Sequence, residues 1–92
     1  MIQIITLDGS RMPDVESTHK YIAEMLHFPE TYGGNLEALA GCLADLGPNI
    51  HVLMMNTTWA RHMLGGYADE LIAVFESVAN KPNQFLFAAA PR

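Results

Sequence analysis

Ile50-His51-Val52-Leu53-Met54-Met55 is the stretch on which the fold turns. It is apolar at nearly every position and of strand length, with neither strict alternation nor a three-to-four-residue period. A run of that kind fits a strand covered on both faces, as in a parallel sheet. Its borders are sharp. Gly47-Pro48 stops whatever precedes it, and Asn56-Thr57-Thr58 offers caps for a helix that follows.

Outward towards the N-terminus lies a helix beginning at Asn35, a residue type well suited to cap it. Leu36, Leu39, Cys42/Leu43 and Leu46 form its apolar stripe, and Gly33-Gly34 makes the turn before it. An earlier helix opens at Pro13-Asp14 and carries Val15, Thr18, Ile22 and Met25/Leu26 on one face. Pro29 ends it, because the residue before a proline is pushed out of the α region. Met1 to Leu7 is rich in isoleucine and stops at the turn dipeptide Asp8-Gly9, so it reads as a strand. Towards the C-terminus, a short helix runs through Trp59 and Met63 and breaks at Gly65-Gly66. A longer one then buries Leu71, Val74, Phe75 and Val78, Pro82 closes it, and Phe85 to Ala90 is the last strand.

The resulting order is β-α-α-β-α-α-β. Strands separated by helices require crossover connections, which favour a parallel sheet. The expectation is one α/β domain over residues 1–92 with a small three-stranded parallel sheet packed against helices. Half of the 92 residues are apolar and 16% are charged, a composition that excludes disorder. No apolar run approaches the ~20 residues of a membrane span.

Charge narrows the partners. Ten acids against five lysines and arginines give a net charge of −5, and the pI is near 5.1. That balance disfavours direct nucleic-acid binding and suits a basic protein partner. Cys42 is the single cysteine, so no internal disulfide forms. The N-terminus lacks a basic segment followed by a long apolar one, so a cytoplasmic protein is expected.

Catalytic chemistry finds little support. His19, His27, His51 and His62 are scattered and share no metal-ligand spacing, so no metal site is expected. There is no Gly-x-Ser-x-Gly elbow, and neither glycine pair leads into a phosphate-binding loop. Cys42 falls on an apolar helix face, where a cysteine acts as a small hydrophobe. The chain reads as a non-enzyme without a cofactor.

The segment Phe28-Pro29-Glu30-Thr31-Tyr32-Gly33-Gly34-Asn35-Leu36-Glu37-Ala38-Leu39 is the most specific in the chain. It resembles the barstar family, intracellular inhibitors of secreted guanyl-preferring ribonucleases such as barnase. Pro29, Tyr32, Gly33, Asn35, Leu36, Glu37, Ala38 and Leu39 match the family pattern. His19, Ile50 to Met55 and Ala68 to Phe75 look like family counterparts, so the resemblance covers essentially the whole length. It implies the barstar-like fold. It also implies an inhibitory face made of the second helix, the loop leading into it and part of the last helix.

Carried over residue by residue, that face comprises Thr31, Tyr32, Gly33, Asn35, Glu37, Ala40, Gly41, Asp45 and Glu76. Tyr32 offers an aromatic contact, Gly33 a backbone position needing positive φ, Asn35 a helix cap, and Glu37 a carboxylate. The departures are as informative. Thr31 stands where the family usually has an aromatic residue, Ala40 where it carries an exposed tryptophan, and Gly41 where many members carry the dominant aspartate. The acid of the last helix falls at Ser77, with Glu76 adjacent. The resemblance therefore implies an inhibitor that occludes the active site of a secreted ribonuclease or related toxin, one to one, in an immunity or antitoxin role. The alternative is an interaction module of the same fold with a non-nuclease partner, in view of Ala40 and Gly41.

Overall fold

The computed structural model describes residues 1–92. Three parallel strands, β1 (Gln3–Asp8), β2 (Ile50–Met55) and β3 (Leu86–Ala89), lie side by side in sequence order. Helices α1 (Val15–Leu26) and α2 (Leu36–Ala44) connect the first pair. Helices α3 (Thr57–Leu64) and α4 (Gly66–Val78) connect the second, and a short 3-10 turn (Gly9–Arg11) follows β1. The order β-α-α-β-α-α-β and the parallel sheet are as expected from the sequence. No helix is long and apolar enough to cross a membrane.

The central strand departs from expectation in one respect. Helices cover only one face of the sheet. Ile5 and Leu7 of β1, Val52 and Met54 of β2 and Phe87 of β3 point into the core with Ile22, Leu39, Leu43, Leu71 and Phe75 from the helices. On the opposite face Ile4, Thr6, Leu86 and Ala88 are exposed. His51 and Leu53 are half-buried there, flanked in register by Ile4 and Leu86 and by Thr6 and Ala88. The neighbouring strands, rather than a second helical layer, shelter the apolar residues of β2.

Local chemistry sets the helix ends. The Asp14 carboxylate accepts from the Ser17 N–H at 2.7 Å and starts α1. The chain leaves α1 at His27, whose φ of 56° is left-handed, two residues ahead of Pro29. Asn56 does not cap α3 as its position predicts. It is itself left-handed, and its side chain donates to the Asp8 carboxylate at 2.9 Å, tying the end of β2 to the end of β1. That carboxylate also accepts from the Ser10 N–H and hydroxyl, and these bonds hold its pKa below the ordinary aspartate value. Gly9 is required here: a Cβ would come within 2.1 Å of the Asn56 carbonyl oxygen.

After α4 the chain turns through Asn80, whose φ is 61°. The Asn80 side chain accepts from the Phe87 N–H at 3.1 Å and donates to the Phe87 carbonyl at 3.2 Å. Its own N–H donates to the Phe85 carbonyl at 2.9 Å. Phe85 is fully buried but precedes β3, which starts one residue later than the sequence implies.

Candidate functional site

The loop from Phe28 to Asn35 and the outer side of α2 form one continuous stretch of chain. Asn35 starts the helix as expected, its side-chain oxygen accepting from the Ala38 N–H at 2.7 Å. Leu39 and Leu43 then face the core at 0% exposure. The period of the helix turns Glu37, Gly41 and Asp45 outward, with Ala40 half-buried beside them.

These acids have no partner within the chain. The two ion pairs join Lys20 to Glu16 and Arg61 to Asp69, and Glu37, Asp45 and Glu76 belong to neither. The charge is also concentrated here. Between Tyr21 and Ala60 the acids are Glu24, Glu30, Glu37 and Asp45, with no lysine or arginine, so four of the five net negative charges lie in this stretch. Overall composition hides that signal, which is readable in the sequence.

Gly41 leaves the middle of the strip bare. A Cβ built there meets nothing within 4 Å, so the position accepts a side chain without moving any neighbour. Glu76 lies on a separate helix, α4, where it is exposed. Thr31 is exposed at the turn closed by the Tyr32 N–H donating to the Pro29 carbonyl at 2.9 Å. The positive φ expected at Gly33 belongs to its neighbour Gly34, at 69°. Gly33 lies open, and a Cβ there would touch Ala38 at 3.4 Å.

Tyr32 is anchored rather than free. Its ring packs against Phe28, with centroids 5.1 Å apart, and its hydroxyl lies 2.7 Å from Nδ1 of His19. His19 is 2% exposed, and its Nε2 lies 2.7 Å from the Tyr67 hydroxyl at the start of α4. Burial lowers the His19 pKa and raises those of Tyr32 and Tyr67, so all three are held neutral. Sequence reasoning missed Tyr67: it stands 48 residues from His19, and no local pattern joins them.

Beside Tyr32, an open groove of about 530 Å³ runs between α1 and the loop, lined by Glu16, Lys20, Phe28 and Gly33 among others. The other histidines stay apart, and no three His, Cys, Asp or Glu side chains converge on a point.

The family profile for Barstar (barnase inhibitor) matches residues 2–89. The chain belongs to the barstar family. It is also 32% identical over 73 residues to the protein named "Putative ribonuclease inhibitor YrdF" of Bacillus subtilis (strain 168), an alignment covering 78% of this chain and 80% of that one. The barstar fold accounts for the arrangement above: two helices between the first strands carry the loop and the outer strip of α2 as neighbouring surfaces.

Proposed function

We propose that this barstar-family chain inhibits a secreted ribonuclease or related toxin by covering its active site one to one, in an immunity or antitoxin role within the cytoplasm. The observation that supports the reading is the outward strip of α2. Glu37 and Asp45 stand there without an internal partner, in the segment that holds most of the net charge. A nuclease cleft is basic because it binds phosphates. An acidic surface is steered towards it, and its carboxylates then replace the phosphates it would hold. A non-enzymatic role fits the family.

In this reading the roles are unequal. Glu37 supplies a carboxylate, and Asp45 and Glu76 supply flanking charge. Thr31, Gly33 and the exposed part of Tyr32 supply loop contacts. Asn35 holds the start of α2, and the small residues Ala40 and Gly41 allow close approach by a bulky partner element. The Tyr32 hydroxyl is engaged by His19, so the contribution of Tyr32 is its ring and the loop position it fixes.

Titration against a panel of barnase-like guanyl-preferring ribonucleases, with RNA cleavage as readout, tests the proposal. At least one nuclease is expected to lose activity at a one-to-one ratio. Glu37→Ala should then weaken that complex by about 2 kcal/mol, roughly thirty-fold. Gly41→Asp should strengthen inhibition, because the site is sterically open. If no nuclease loses activity to either form while another protein is captured, the partner belongs to a different class.

A further inference from the structure

We propose that His19, held between the hydroxyls of Tyr32 and Tyr67, is a positioning residue for the partner-binding loop and makes that loop acid-sensitive. Uptake of one proton by the imidazole loosens the loop and releases the partner. The inference rests on the reading that residues 31–33 belong to the inhibitory surface.

A neutral imidazole has one N–H donor and one bare nitrogen acceptor. With both nitrogens 2.7 Å from a tyrosine oxygen, one hydroxyl donates to the ring and the other accepts from it. The three side chains form a directed chain whichever nitrogen carries the proton. An added proton turns the bare nitrogen into a second donor. The hydroxyl that had donated to it must then rotate and accept, and its own proton loses its partner.

No carboxylate compensates. Both ring nitrogens are taken, and the tyrosines stay protonated because burial raises their pKa values. The charged and titratable groups around the ring come from every element packed on it. Glu16 and Lys20 on α1 are paired with each other, Glu24 on α1 is exposed at the groove, Glu30 lies in the loop, Cys42 on α2 stands near Tyr32, and Glu70 on α4 stands near Tyr67. A cation at a site 2% exposed is therefore poorly stabilised, in line with the lowered His19 pKa. Relief comes from opening the clamp. Its movable side is the loop, because Tyr67 is fixed by the first turn of α4 while Tyr32 sits between elements.

NMR of the free, full-length protein with labelled histidine tests the clamp without any partner. The His19 ring signals are expected to titrate below pH 6.5, and the amide shifts of residues 31–34 should follow the same midpoint. His19 titrating at or above 6.5, or loop shifts that ignore its midpoint, would overturn the proposal. A ribonuclease from the panel, bound at pH 7.5, is the second probe. Its dissociation is expected to accelerate at least tenfold between pH 7.5 and 5, with less than a third of that change in His19→Gln, which keeps a donor and an acceptor but does not titrate. Equal acceleration in both proteins would assign the effect to the nuclease and overturn the release step. If His19→Gln does not fold, the wild-type titration decides alone. If no nuclease binds at pH 7.5, the inhibitory reading fails while the NMR result still judges the clamp.

Discussion

The clamp around His19 and the outer strip of α2 treat polar groups in opposite ways. In the clamp, every polar atom has a partner within the chain, and burial keeps the groups neutral. On the strip, the Glu37 and Asp45 carboxyl groups are exposed and without an internal partner. The lesson is a division of labour. Internal hydrogen bonds fix where the loop and helix stand, and the surface carboxylates stay available to another molecule. Truncating the first region should cost stability, and truncating the second should cost binding.

That contrast can be broken at several points. His19→Ala leaves two half-buried hydroxyls without partners and should lower the unfolding free energy by about 2–4 kcal/mol in urea melts. A loss below about 1 kcal/mol would mean that water replaces the imidazole and the clamp is not structural. Acid titration of stability should show a smaller, graded effect. A histidine whose folded pKa is depressed binds more protons when unfolded, so its contribution is complete above 6.5 and falls as pH drops below that value. Asp8 and Asp14, depressed by their hydrogen bonds, act only lower, with stability lost as pH falls below the ordinary 3.8. The first loss should vanish in His19→Gln and the second should remain.

Asn35→Ala should cost about 1 kcal/mol through the lost cap of α2, read as a lower midpoint in thermal unfolding. Gly41→Ala should add about 0.5–1 kcal/mol, because the helix gains a better former in open space. The smallest effect sharpens the contrast most. Glu37→Ala should change stability by less than about 0.5 kcal/mol, while weakening the partner complex. A large stability loss there would erase the distinction between the two regions.

Much of the molecule was legible because its signals are local. Periodicity gave the helices, Asn35 announced its capping role, and the Pro29–Leu39 motif identified the family. What escaped depends on contacts distant in sequence. The one-sided covering of β2 is decided by where the helices pack, and strand neighbours mimic the hydropathy of a fully covered strand. Asn56 looked like a cap because its position allows it, but Asp8, 48 residues earlier, claims its side chain. Gly33 and Gly34 are adjacent glycines, and only the backbone reveals which of them bears the left-handed turn. For the strip, residue identities were readable, as was the emptiness at Gly41, but the coupling of Tyr32 to Tyr67 through His19 was not.

The bonds from Asn80 to β3 bear on how these molecules meet one another. An edge strand invites a second chain wherever its outward backbone groups are unpaired. Asn80 occupies the outward N–H and carbonyl of Phe87 and the carbonyl of Phe85 before any neighbour arrives. On the other rim, the Tyr21 hydroxyl accepts from the Asp8 N–H, but nothing similar covers Ile4 and Thr6. Strand addition is thus obstructed around Phe87 at one rim and open along Ile4 and Thr6 at the other. Any ageing of concentrated solutions into fibrous aggregates should begin along β1, and a lysine at Ile4 should retard it.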